Sequence, residues 1–348
     1  MSLVRFVCDD CADTPTLLSI LETYLKEGGD ARFYSMFSYL VCKSLGGEEE
    51  RADNLARVME AFFLASSIHD DCMDRYDLTG SDRGSDRLSN LKALNDFIVA
   101  GDLLFTELAK YFALCVHGLP LQQVEQIANK LEDHLLAVAE SQVIDIIEYK
   151  GKIMSLNKQI EHVKQRGGLW GRMSFELGAM VSGNNYYHEE TTNIASVGEK
   201  LFMALTLRDD VEDIQDDMAN EVFTYPLCWL FENKDKLVQK NKLSEKEKVF
   251  IEKIIQTPSL ITENRIRMSK LLDKTGALDI TIEKSKWLIQ EAQELIMKVL
   301  KKKDELSHSR WNLLKRIMGA IDERLEETVK IVKQQICELD RGIQYGTQ

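Results

Sequence analysis

The chain has 348 residues, 44% of them apolar, and a formal net charge of −13. An acidic chain repels phosphate backbones, which argues against nucleic acid as a partner, and an anionic substrate would need metal cations or a local set of arginines to bind. Seven scattered cysteines fit free thiols in a reducing compartment, and no run reaches the ~18 apolar residues of a membrane span, so a soluble cytoplasmic protein with no transmembrane segment is expected.

Helical periodicity dominates along the chain. Thr14-Pro15 opens a first helix that closes at Gly28-Gly29. A second is predicted from about Arg32 to Leu45, a third from Glu50 to Asp74, and a fourth from Leu88 to Val116. Leu121 to Glu148, Asn157 to Val181 and Glu189 to Asp217 follow. Pro226 begins a shorter piece ending near Phe231, and the lysine-rich stretch 233–248 reads as a loop with a helix start. Three further helices fit 245–256, 276–301 and 306–340. The four prolines all fall at breaks in this pattern, where helices tolerate them. No alternating strand pattern and no Gly/Ser/Pro linker appears. The expectation is one all-α domain over 1–348, a helical bundle around a central cavity.

Two acidic clusters stand out. HDDCMDRYDLTGSDRGSDR, positions 69–87, holds six aspartates and ends in a doubled GSDR; RDDVEDIQDD begins at Arg208. Positions i and i+4 share a helix face, so Asp70 pairs with Asp74 and Asp209 with Asp213. Like charges so placed repel, and a cation between them would relieve the repulsion. Magnesium prefers hard carboxylate and phosphate oxygens. Either cluster alone reads as a solvated helix face. Two copies of DDxxD, each following an apolar stretch (ASSI and FMALTL), point to a metal-binding cavity with Asp70, Asp71, Asp74, Asp209, Asp210 and Asp213 as ligands.

DDCMD and DDVED resemble the two aspartate-rich motifs of the trans-isoprenyl diphosphate synthases, the polyprenyl synthetase family. ESQVIDI resembles the family's Gln-x-x-Asp helix, with Gln142 and Asp145. ELGAMVSG and FTYPL resemble two further family segments. The resemblance implies an isoprenoid-synthase-like bundle and a homodimer. It also implies magnesium, about three ions once diphosphate is bound, gripping an allylic prenyl diphosphate so that its C–O bond ionises. Asp70, Asp74, Asp209 and Asp213 would be catalytic, with Gln142, Arg166 and Arg208 on the substrate. Arg166 stands where the family has lysine in a Lys-Thr pair, and resembles the diphosphate-sensing arginine of class I terpene synthases. Arg83 would close over the diphosphate from the loop. Small residues at Ala65 and Ser66, with Phe62 as a floor, imply a deep pocket and a substrate of about twenty carbons or more.

The chain departs from the family on the side that holds isopentenyl diphosphate. The GGK-x-x-R turn is GGDARFY, so its lysine becomes Asp30 or Ala31 and its last arginine Phe33 or Tyr34. A histidine seven positions before the first aspartate is Phe63. The Arg-Arg-Gly after the first motif is missing at that spacing, and the lysine after the second falls at Val222. A diphosphate needs charged partners in a low-dielectric pocket. The lead expectation is therefore a terpene-synthase-like enzyme ionising one long allylic diphosphate. The alternative is a prenyltransferase, either condensing with isopentenyl diphosphate through a rebuilt site or prenylating another acceptor. A third reading is a non-catalytic partner subunit.

Overall fold

The computed structural model describes residues 33–75, 91–145, 147, 151–183, 188–300 and 305–345. Every regular element among them is helical, as expected. In chain order they are α1 (Phe33–Ser44), α2 (Glu49–Arg75), α3 (Leu91–Cys115), α4 (Leu121–Ile144), α5 (Leu156–Val163), α6 (Leu169–Val181), α7 (His188–Glu212), α8 (Ile214–Ala219), α9 (Tyr225–Gln239), α10 (Glu245–Gln256), α11 (Leu260–Thr275), α12 (Ala277–Leu300) and α13 (Glu305–Tyr345). A π-helical turn, Lys164–Gly168, joins α5 to α6. The helix expected at 14–28 and the loop after the first motif lie outside the described residues. Among the described residues no helix is long and apolar enough to cross a membrane.

Four boundaries differ from expectation. The helix expected over 157–181 is interrupted by the π turn, whose wider backbone brings Gly167 and Gly168 against α7. The helix expected over 189–217 breaks at Asp213 (φ −94, ψ 11), where carboxylates crowd at i, i+3 and i+4 and aspartate is a weak helix former. The lysine-rich stretch 233–248 is mostly helix, not loop: α9 runs on to Gln239, burying Leu237, with Pro226 in its first turn. Only 240–244 remains a turn, with Asn241 at φ 55. Helix α11 has no counterpart in the expectation. It buries Ile261, Met268, Leu271 and Leu272 and ends at Gly276, whose φ of 80 suits a helix C-cap.

The chain folds into two compact units. One comprises Met1–Glu132, Met173–Ala195 and Lys303–Trp311, the other Asp133–Arg172, Ser196–Lys302 and Asn312–Gln348. In the first unit α2 packs along α1 and α3. Its core holds Phe37, Val41, Leu55, Met59, Ile68 and Leu104, and the rings of Phe37 and Phe175 lie 5.6 Å apart. In the second unit α9 touches α5, α10, α11 and α12. The apolar side of α7 (Val197, Leu201, Ala204, Leu207, Val211) is fully buried. Ser285 of α12 donates to the Ala204 carbonyl, and Lys333 of α13 bridges Asp273 and Asp279, so long-range polar ties add to the burial.

Candidate active site

The first motif closes α2. Leu64, Ala65, Ile68 and Cys72 are buried, and Asp70 beside them is half-buried. Ser66, one turn before Asp70, is also half-buried, and Phe62 is buried with its ring 6.1 Å from that of Phe105 on α3. His69 packs rather than reaching toward the acidic face. Its ring lies against Gly101 of α3, where a Cβ would overlap it, and 5.7 Å from Phe105. The side chains of Asp71 and Asp74, and all of Arg83, lie outside the described ones. Phe63 stands seven residues before Asp70, two turns along the same face. Tyr34 of α1 packs on it, ring centroids 4.8 Å apart. An aromatic pair therefore occupies the position where the resemblance places a histidine and one of the two positions, 33 or 34, where it places an arginine.

The second motif lies at the end of α7, in the other unit. Arg208 donates to Asp209 Oδ1 through Nη2 at 2.8 Å and Nε at 3.2 Å, and its Nε lies 3.5 Å from Glu212. Asp209 keeps 45% of its side chain exposed. Asp213 lies just past the end of α7, yet its N–H still donates to the Asp209 carbonyl at 2.9 Å. Asp210, next to Asp209, is buried. It accepts from the Tyr225 N–H at 3.3 Å, while its Oδ1 has no hydrogen bond and sits 3.6 Å from Arg166 Nη2. The family-like Lys-Thr position thus keeps a cation at 166 that faces the second motif. Gln142 is half-buried on α4, three residues before Asp145.

The charges are crowded. Burial pushes Asp210 up to about 6 against the pull of Arg166 and the Tyr225 N–H. Burial and the Asp210 charge push Asp217 of α8 up to about 8. Asp209 is raised by burial, with Arg208 opposing, and Asp213 by burial and then Asp209. Burial works against the Arg166 charge, but Asp210, Asp145, Asp217 and Asp209 outweigh it and hold that guanidinium above its ordinary value. Among the described residues no three acidic, histidine or cysteine side chains converge as a ready-made cage. The donor chemistry nevertheless fits a hard divalent cation: carboxylate oxygens, partly exposed at Asp209, whose mutual repulsion a cation would relieve.

Four participants have no place in the sequence reading. Asp217 extends the acidic run by one more turn. Gln159 donates to the Phe223 carbonyl, and His162 Nε2 lies 2.5 Å from Asp145 Oδ1. The signal for these two was a polar stripe, Gln159, His162 and Arg166 at i, i+3 and i+7. Thr206 fills the space beside Gly167: a Cβ at 167 would overlap its Oγ1 and come within 3.0 Å of the Phe202 carbonyl. Gly167→Thr, which would recreate the Lys-Thr pair's threonine, is expected to cost about 2–3 kcal/mol by overpacking. Thr206→Ala in the same chain should recover part of the loss. Urea denaturation of the three variants checks both, and an undiminished Gly167→Thr protein would refute the steric account.

A family model described as polyprenyl synthetase matches residues 14–251, a span that includes both acidic motifs. The chain belongs to the polyprenyl synthetase family. Membership makes it an enzyme of isoprenoid biosynthesis. The geranylfarnesyl diphosphate synthase of Aeropyrum pernix is 23% identical over 303 residues, covering 86% of this chain and 93% of that protein. Two solved structures share the fold. The geranylgeranyl pyrophosphate synthetase of Pyrococcus horikoshii has a TM-score of 0.67 at 22% identity, covering 91% of this chain and 93% of that one. The polyprenyl synthase of Caulobacter crescentus, complexed with calcium and isoprenyl diphosphate, has a TM-score of 0.63 at 18% identity, covering 85% and 87%.

Proposed function

We propose that this polyprenyl synthetase family member is a prenyltransferase that joins an allylic prenyl diphosphate to isopentenyl diphosphate and releases diphosphate. The observation that carries this is the family match spanning both DDxxD motifs. The expectation of single-substrate, terpene-synthase-like ionisation gives way to its alternative, because the relatives named above are diphosphate synthases. The missing lysines are a weak guide at such low identity, since a basic site can be rebuilt from other positions. A match over 91% of the chain supports reading the two units as one domain.

Asp70, Asp71 and Asp74 would hold magnesium from the first motif, and Asp209, Asp210 and Asp213 from the second, about three ions in all with the diphosphate bound. The calcium and isoprenyl diphosphate in the Caulobacter protein support a divalent metal at such carboxylates. Bound magnesium supplies positive charge to the departing diphosphate. The chain's own residues do the rest. Arg166 and, from the loop, Arg83 donate to the diphosphate, Arg208 orients Asp209, and Gln142 lines the substrate. Ala65, Ser66 and Phe62 shape an apolar pocket that shields the cation from water and admits a prenyl chain of about twenty carbons or more. The chain is further proposed to work as a homodimer through the outward apolar stripe of α4 and its continuation, Leu136, Val143 and Ile147, all more than half exposed. Leu136→Glu should shift sedimentation from dimer to monomer.

The deciding experiment supplies geranyl, farnesyl and geranylgeranyl diphosphates with magnesium, each with and without isopentenyl diphosphate. Longer diphosphates appearing only with isopentenyl diphosphate support the proposal. Hydrocarbon or alcohol from the allylic substrate alone would overturn it.

The Tyr34–Phe63 pair favours a second reading, transfer of the prenyl group to an uncharged, aromatic or apolar acceptor. Aromatic rings cannot replace the charge-assisted contacts that a diphosphate needs. Under this reading the double variant Tyr34→Arg, Phe63→His should raise kcat/KM for isopentenyl diphosphate about a hundredfold, since two charge-assisted hydrogen bonds of on the order of 1.5 kcal/mol each are added. An unchanged value would remove the reason for it.

A further inference from the structure

Gln159, His162 and Arg166 each reach a different stretch of chain. Gln159 meets the Phe223 carbonyl, His162 meets Asp145 just past the end of α4, and Arg166 meets Asp210 of α7. His162 lies outside both acidic motifs, keeps only 8% of its side chain exposed, and has no part in the chemistry assigned above. It nevertheless makes a close contact with a carboxylate, Nε2 to Oδ1 at 2.5 Å.

The neighbourhood of Arg166 explains what that contact does. Asp210 and Asp145 are the two carboxylates whose charges act most strongly on its guanidinium. Asp210 stands 3.6 Å away, at ion-pair rather than hydrogen-bond distance. A guanidinium has five donors in a planar fork and binds one carboxylate or phosphate group bidentately. Gripped by two carboxylates at once, it would be neutralised and would have few donors left for a diphosphate. Asp145 is instead in contact with the imidazole of His162, one turn before Arg166.

We propose that His162 is a positioning residue: it holds Asp145 away from Arg166 and so keeps that guanidinium available to an incoming diphosphate. The inference rests on the reading of Arg166 as a diphosphate-binding cation. It does not require that the acceptor be isopentenyl diphosphate, or that prenyl transfer occur at all.

The test is calorimetric binding of inorganic diphosphate with magnesium to the full chain, without an allylic substrate. His162→Leu frees Asp145 and should weaken binding about tenfold, the scale of one charge-assisted hydrogen bond. His162→Gln can still donate to Asp145 and should bind within about twofold of the parent. Asp145→Asn added to His162→Leu removes the competing charge and should restore binding to within about threefold. Arg166→Ala should weaken binding at least as much as His162→Leu. A merely structural histidine would not produce rescue by a second substitution at Asp145. Parent-like binding by His162→Leu, no recovery in the double variant, or parent-like binding by Arg166→Ala would each overturn the proposal. Should His162→Leu fail to fold, His162→Ala takes its place, with thermal melts confirming the fold. Diphosphate binding in this pattern without prenyl transfer would instead sink the proposed function and leave this inference standing.

Discussion

Replacing Asp209 by asparagine is expected to lower kcat/KM for prenyl transfer by about three orders of magnitude while leaving the fold intact. Asp209 is the second-motif aspartate with both a partly exposed carboxylate and a dedicated cationic partner, since Arg208 holds one of its oxygens. That arrangement aims a charged ligand outward instead of using it as internal glue. Asparagine keeps an oxygen for Arg208 but loses the charge that a hard cation needs. Burial already raises the Asp209 carboxyl above its ordinary value, so at neutral pH its charge is held against a cost. The variant should melt within about 3 °C of the parent, because a lost surface-side ion pair and a relieved repulsion nearly cancel. Asp70→Asn should behave alike. As a control, Asp235→Asn removes an exposed carboxylate whose partner is Lys248 and should leave activity unchanged. Retention of more than about a tenth of the activity by Asp209→Asn would remove the second motif from the chemistry.

The parts of the fold and site legible in the sequence were those where period and chemistry coincide. The buried stripe of α2 runs past Asp70 to Cys72 and that of α7 past Asp209 and Asp210 to Val211, so the apolar pattern and the acidic motif mark the same helix ends. Helix α11 was hidden because the charged residues between Ile261 and Met268 mask a sparse stripe. The sequence showed the end signal, Gly276, but not which face was buried. The partners of Arg166 were not legible either. Asp145 and Asp210 stand 21 residues before it and 44 after it, and nothing local says that a histidine takes the first and leaves the second. Gly167 shows the same limit. Its lack of a side chain reads as a lost threonine until Thr206 of α7 is found in that space.

Asp217→Asn is expected to stabilise the metal-free protein at pH 8 and to flatten its pH dependence. Burial, then the nearby Asp210 charge, pushes Asp217 up from 3.8 to about 8. Between those values the native state holds a proton that the unfolded chain has released. Stability linked to this group is therefore fully present below about pH 4 and is lost as pH rises through 8, with a slope on the order of 1 kcal/mol per pH unit. Asp210, pushed up to about 6, adds a loss of the same sign over a narrower window. An amide at 217 stays neutral throughout and removes the larger share. Urea denaturation at pH 5 and at pH 8 reads the difference, and the parent should lose markedly more stability across that interval than the variant. Magnesium supplies by charge what the protons supply at low pH, so it should raise the parent's melting temperature more at pH 8 than at pH 5. Equal slopes in parent and variant would mean that Asp217 is ionised in the native state. The acidic run would then carry its charge without help from protons, and Arg166 and Arg208 would have to offset it.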